Sequence, residues 1–202
     1  MKLAADPVVI AIAGISCSGK TTLARHLARV LPGAAVLPLD AYYRDLSHLQ
    51  PPQRAAVNFD APEALDHPLL LDHIQCLARG VGVDRPVYSF KTHTRKATPV
   101  RQDPVSHLVV EGLFALYWPE LRSLYHLAVF VDAPHALCLE RRLERDAAER
   151  GRTPGSIRLQ YERHVQPMGE RYVVPTRPHA DVAVSGEADP EDSILRLGIP
   201  RP

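Results

Sequence analysis

The sequence predicts an α/β fold: a parallel sheet with helices on both faces and a small antiparallel β-hairpin insertion. Three observations carry this. Short apolar, β-branched runs alternate with stretches of helical periodicity, an order that puts crossover helices on both sides of parallel strands. The first run enters a helix through a glycine-rich turn, Gly14 to Gly19. Three runs end in an acid, at Asp40, Glu111 and Asp132, and ligands of open α/β sheets sit beyond the carboxyl ends of the strands.

Residues 8–13 are an apolar run expected as a buried strand, and residues 20–30 place Leu23, Leu27 and Val30 at helical spacing. Residues 35–39 form a second strand ending at Asp40. The Asp60 to Glu63 stretch has the form of a capping box, and Asp66 can cap a helix reaching Arg79 and stopped by Gly80. Residues 83–100 alternate and carry Thr, Val and Tyr, which predicts one antiparallel hairpin. Strands follow at 107–110 and 127–131. Asp132, as a cap, and Pro134 open a charged helix that runs to Arg150 and closes at Gly151. A helix over 157–172 and a last strand over 181–184 complete the pattern.

At 202 residues the chain suits a single domain, residues 1–202, able to bury a core without disulfide or metal staples. Lys plus Arg is 24 against 23 Asp plus Glu, a balance that argues against a nucleic-acid or membrane-surface binder while leaving room for a local basic cleft. Cys17, Cys76 and Cys138 are about sixty residues apart with no CxxC, which excludes a thiol zinc site and fits a reducing compartment. No apolar run is long enough to span a membrane. The first residues offer one lysine and a short apolar run, too little for a signal peptide. Cytoplasmic placement is the expectation.

Gly14-Ile15-Ser16-Cys17-Ser18-Gly19-Lys20-Thr21 fits GxxxxGK[ST], between a predicted strand and a predicted helix. Chance would supply on the order of 0.001 such matches at this composition. A backbone of this kind turns consecutive N–H groups around a β-phosphate, with the helix N-terminus adding its positive end. Lys20 then reaches the β/γ oxygens and the Thr21 hydroxyl ligates Mg²⁺, while Thr22 continues the loop into the helix. A guanine-reading switch is excluded, because the only asparagine, Asn58, precedes Phe59 and no DxxG occurs. AAA-type motors normally carry a longer chain and a longer Walker B run, so what remains is a small P-loop kinase, for which ATP and Mg²⁺ are the expected cofactors.

At this point the chain resembles the uridine kinase (uridine–cytidine kinase) family, neighbours of the phosphoribulokinases. The motifs recur in order from about Val8 to Ser185: GISCSGKTT at the phosphate loop, LDAYYRD at 39–45, VNFDAPEALD at 57–66 and RPVYSFKTHTR at 85–95. VVEGLFALY at 109–117, VFVDAP at 129–134, RRLERDAAERGR at 141–152 and PTRPHADVAV at 175–184 complete them. The resemblance implies that Asp40 is the catalytic base and a neighbour of the metal, and that Glu111 joins Thr21 at Mg²⁺. It implies a nucleoside site of Asp60, Tyr88, Phe90, His93, Arg142, Arg152 and Gln160, with Tyr43 nearby. Tyr88 and Phe90, two apart in a strand, share a face that could line a flat base. His93 can donate to a pyrimidine O4 or accept from an amino group.

Arg142, Arg145 and Arg152 share a helical face, whereas Arg150 points elsewhere while the helix lasts. The family uses such arginines as a lid, here at about 134–155, so Arg145 and Arg150 are expected to act on the transferring phosphate. Asp189 is a candidate for the adenine edge, and the hairpin at about 83–100 is the expected nucleoside-binding insertion. Ser89 departs from the family's usual aspartate, which bears on substrate preference. The chain ends soon after Leu197, without the long C-terminal helix of many relatives, which bears on assembly; relatives commonly form tetramers. The leading expectation is phosphorylation of the 5′-hydroxyl of uridine, and of cytidine, in pyrimidine salvage. Two alternatives stand at this point. One is the same fold acting on another small hydroxyl substrate (another riboside, a pentose phosphate, pantothenate), and the other is a non-catalytic nucleotide-binding regulator.

Overall fold

The structure is a computed structural model that describes residues 7–198. Lys2 and its neighbours, on which the signal-peptide expectation rests, lie outside the described residues. The strands are β1 (Val8–Ala13), β2 (Ala34–Pro38), β3 (Val83–Arg85), β4 (Tyr88–Ser89), β5 (Thr94–Arg95), β6 (Val100–Gln102), β7 (His107–Glu111), β8 (Leu127–Asp132) and β9 (Val182–Ser185). The helices are α1 (Lys20–Val30), α2 (Pro51–Ala55), α3 (His67–Ala78), α4 (Pro119–Arg122), α5 (His135–Arg150), α6 (Pro154–Gln160), α7 (Gln166–Met168) and α8 (Pro190–Arg196).

Five strands form one parallel sheet in the order β2-β7-β1-β8-β9. The central strand β1 is apolar throughout because both of its faces are covered, and its side chains alternate between two cores. Val9, Ala11 and Ala13 meet Leu70, Ile74 and Leu77 of α3 and Cys138 of α5. Ile10 and Ile12 meet Leu23 and Leu27 of α1 and Ile194 of α8. The predicted class is therefore found: helices on both faces of a parallel sheet.

Several local expectations need correction. Residues 83–102 make two antiparallel ribbons, β3 with β6 and β4 with β5, in place of one continuous hairpin. The short inner ribbon is aimed separately because Arg95 ties it down. Its backbone N–H donates to Asp45 Oδ1 at 2.9 Å, and its guanidinium donates to the carbonyls of Tyr42 and Tyr43 and to Asp66. The stretch from Asp60 to Glu63 is no capping box: Ala61 precedes the short 3-10 turn at Pro62–Ala64, without a side-chain cap. Asp66 does cap α3, accepting from the Leu69 N–H. Asp132 does not cap α5, which starts after Pro134; its carboxylate instead takes a 2.6 Å bond from Arg177 Nε. The helix predicted over 157–172 belongs to a longer run, in which π-helical turns at Tyr161–Val165 and Gly169–Val173 flank α7 before a 3-10 segment, Val174–His179.

Candidate active site

The phosphate loop leaves the carboxyl end of β1 in a conformation that larger residues could not hold. At Gly14 (φ 154°) a Cβ would fall 2.6 Å from both Ser18 Oγ and the Val131 carbonyl, and Gly19 (φ 106°) opens α1. Cys17 also takes a left-handed φ of 65°. The Ser18 N–H donates to the Ile15 carbonyl at 3.1 Å, closing the turn. Ser18 Oγ is buried with no partner among the described residues. Lys20 Nζ folds back 3.4 Å from the Ile15 carbonyl, within reach of a phosphate cradled by the loop.

Thr21 Oγ1 donates to Glu111 Oε2 at 3.2 Å, so the first turn of α1 and the end of β7 present two hard oxygen donors side by side. Burial holds the Glu111 carboxyl above its ordinary range, with Lys20 pulling it down and Asp40 pushing it up. Asp40 lies in a 3-10 turn just past β2 and lines the same cleft as Lys20 and Thr21. Among the described residues no group of three or more His, Cys, Asp or Glu is placed to hold a metal. The Thr21 hydroxyl and the Glu111 carboxylate are oxygen donors of the kind that Mg²⁺ takes, with phosphates and water completing its shell.

Opposite the loop, the inner ribbon and the segment before Asp60 form an aromatic cluster. Tyr43 packs against Phe59, Tyr88 and Phe90 with ring centroids 5.6, 5.2 and 6.1 Å apart. Phe90 lies beyond β4, in the turn, yet meets Tyr88 at 5.4 Å. His93, at a left-handed φ of 55°, stacks on Phe59 at 4.6 Å, and its Nδ1 is buried without a partner among the described residues. Burial lowers the His93 pKa, and Arg152, Arg150 and Arg54 push the same way, which favours the neutral imidazole, the form with one donor and one acceptor. Burial also raises the Asp60 carboxyl; Arg142 opposes this and Asp40 reinforces it.

Arginines from α5 and the turn after it close the third side. Asp146, fully buried, receives Arg145 at 2.9 Å, Arg152 at 3.3 Å, Arg150 at 3.4 Å and Arg142 at 3.6 Å. The expectation that Arg150 points away is corrected, since its i,i+4 spacing from Asp146 draws it into the cluster and over the Phe90 ring at 4.8 Å. Gln160 Oε1 accepts from Arg142 and Arg152, so the amide is held behind the cluster. Arg142 also donates to Ser16 Oγ at 2.9 Å.

One cleft of about 1160 Å³ joins these parts, lined by Cys17, Gly19, Lys20, Thr21, Thr22, Asp40, Phe90, His93, Arg145, Arg150 and Arg152. Gly14, Ile15, Ser16 and Ser18 shape the loop from behind, and Tyr43, Tyr88, Arg142 and Gln160 support the lining. Asp189 sits between the lining residues Ala188 and Pro190 with its carboxylate engaged as the cap of α8. Three participants escaped the sequence reading. Phe59 supplies the ring under His93. Arg141 donates to the carbonyls of Cys17, Ser18 and Gly186, and Asp146 gathers the arginines. The spacing Arg142–Asp146–Arg150 at i−4 and i+4 was the available signal for Asp146.

A phosphate loop with its lysine, a hydroxyl–carboxylate pair and an arginine cluster on one sheet edge make this chain a phosphotransferase of the P-loop kinase fold. The model of the Phosphoribulokinase / Uridine kinase family matches residues 9–190. Proteins named uridine kinase from Escherichia coli (strain K12) and Shewanella sp. (strain MR-4) are 42% and 45% identical over 183 residues, 88% of this chain and 86% of each relative. The solved phosphoribulokinase from Rhodobacter spheroides is similar in fold, with TM-score 0.64 and 18% identity over 89% of this chain and 70% of that one. The chain belongs to the phosphoribulokinase / uridine kinase family.

Proposed function

We propose that the chain transfers the γ-phosphoryl group of ATP to the 5′-hydroxyl of uridine and of cytidine, with Mg²⁺, as a cytoplasmic enzyme of pyrimidine salvage. The observation that carries this is one cleft lined by Lys20, Thr21 and Asp40 and also by Phe90 and by His93, whose Nδ1 has no partner among the described residues. The identity to relatives named uridine kinase supports the acceptor, and three free cysteines support a reducing compartment.

In this reading the loop N–H groups and Lys20 bind the phosphates. Thr21 Oγ1 and Glu111 hold Mg²⁺, which when bound neutralises phosphate oxygens and orients them. Asp40 accepts the proton of the attacking hydroxyl, and Asp60 accepts from the ribose hydroxyls. His93 reads the base edge while the aromatic rings pack against the base. Arg145, Arg150 and Arg152 face the phosphate from the lid and stabilise charge that develops in transfer.

The test is ADP release with ATP and Mg²⁺ against uridine, cytidine, adenosine, thymidine, ribulose 5-phosphate and pantothenate, beside Asp40→Asn. Turnover is expected on uridine and cytidine, and the variant should lose about 10²- to 10⁴-fold in kcat while still binding ATP. Turnover only on another acceptor would overturn the substrate reading. ATP binding with no turnover on any acceptor would make the chain a nucleotide sensor.

A further inference from the structure

We infer that Asp146 is a positioning residue for phosphoryl transfer, an internal counter-ion that holds four guanidinium groups convergent on the phosphate side of the cleft. Its carboxylate is fully buried, and Arg142, Arg145, Arg150 and Arg152 all reach it between 2.9 and 3.6 Å. Four cations share one anion, so three positive charges in this cluster are left for a polyphosphate to balance.

Each arginine carries the position of Asp146 somewhere else. Arg142 fixes Ser16 Oγ of the phosphate loop at 2.9 Å. Arg150 covers the Phe90 ring on the acceptor side at 4.8 Å. Arg145 and Arg152 line the cleft directly, and Gln160 ties Arg152 back to Arg142. One carboxylate therefore sets the phosphate loop, the lid arginines and the acceptor ring against one another. Without it the guanidiniums repel, and the cluster spreads or captures another anion. Asp146 is buried behind the cleft and is not among the residues that line it; it acts through the arginines. In a protein interior a group of cations stays fixed only if an anion of suitable geometry is fixed among them, and electrostatic catalysis depends on donors held in place before the reaction.

This inference rests on the cleft being a phosphoryl-transfer site. Its test is Asp146→Asn, which keeps the side-chain shape and removes the charge. The expected result is a kcat on uridine lowered about 10²-fold, with the KM for ATP changed by less than about tenfold. In the same variant, inorganic triphosphate titrated by calorimetry without nucleotide or metal should bind about tenfold more tightly, because the internal competitor is gone. The two changes run in opposite directions. A residue with only a packing role would on removal weaken triphosphate binding and turnover together; that outcome, or a wild-type kcat, overturns the inference. Should the asparagine variant fail to fold, Asp146→Glu keeps the charge and displaces the carboxylate by one methylene. It should then show triphosphate affinity within about twofold of wild type and kcat lowered about tenfold, and wild-type kcat would overturn the inference. The triphosphate titration needs no acceptor, so it reads the role of Asp146 even if uridine and cytidine are not the substrates.

Discussion

Gly186→Ala should weaken ATP binding from outside the phosphate-loop motif. Gly186 follows β9, and its N–H donates to the Asp132 carbonyl at 2.6 Å. A Cβ built there would run into the Ser18 carbonyl oxygen and approach Ser18 C and Ala133 Cβ at 3.1 Å each. The obstacle is phosphate-loop backbone, which has no rotamer to escape into, and Ser18 itself is fully buried. Arg141 also pins the two segments together, donating to the Gly186 carbonyl at 2.9 Å and to Ser18 O at 3.5 Å. Relief therefore requires the loop to shift. Overpacking of this kind costs about 1–3 kcal/mol, which is about 5- to 150-fold in affinity if it falls on the nucleotide-bound loop. The assay is calorimetric titration of ATP with Mg²⁺. Gly155→Ala serves as the control, since a Cβ there meets nothing within 4 Å. Gly186→Ala binding ATP within about twofold of wild type would refute the reasoning.

The metal and titration behaviour can be checked alongside. Glu111→Gln removes the carboxylate beside Thr21 Oγ1 and should raise the Mg²⁺ concentration for half-maximal activity by about 10- to 100-fold, read from a Mg²⁺ titration of turnover. Chelation with EDTA should abolish wild-type turnover, and excess Mg²⁺ should restore it. The Asp60 carboxyl is pushed upward, first by burial. Its stabilising contribution is therefore complete below the unfolded value of about 3.9 and is lost as pH rises through the folded one. Asp60→Asn stays uncharged at every pH, so its melting temperature relative to wild type should climb between about pH 4 and 7. A difference that is flat or falls over that range contradicts the burial account.

Much of the sheet and of the phosphate site could be read from short-range pattern. The apolar run at 8–13, the GxxxxGK[ST] spacing and the acids at 40 and 111 are local signals, and each reflects a backbone requirement met within a few residues. Asp66 and Gly80 bounded α3 for the same reason. The misreadings came where two residues compete for one partner across the fold. Asp132 has the spacing of a helix cap, but Arg177, 45 residues away, takes its carboxylate. The stretch from Asp60 to Glu63 has the letters of a capping box, yet no Asp60 side-chain cap forms there; its carboxyl is influenced by Arg142 and Asp40. Arg150 looked misdirected because the helical wheel was compared among the arginines alone; with Asp146 placed on it, Arg142 and Arg150 fall on either side of that acid.

By itself the sequence determined the strand–helix alternation, the phosphate loop, the acids at the strand ends and the family. These depend on backbone conformation and on periodicities of two and 3.6, which adjacent residues set. Only the tertiary structure decided which charges pair, which rings meet and how the arginines converge. Buried ion pairs and aromatic contacts are chosen by distance in space, at a cost in desolvation that depends on every element packed around them. Asp146 shows the difference most sharply: along the chain it is one acid in a mixed run, and in the fold it is the carboxylate that four arginines share.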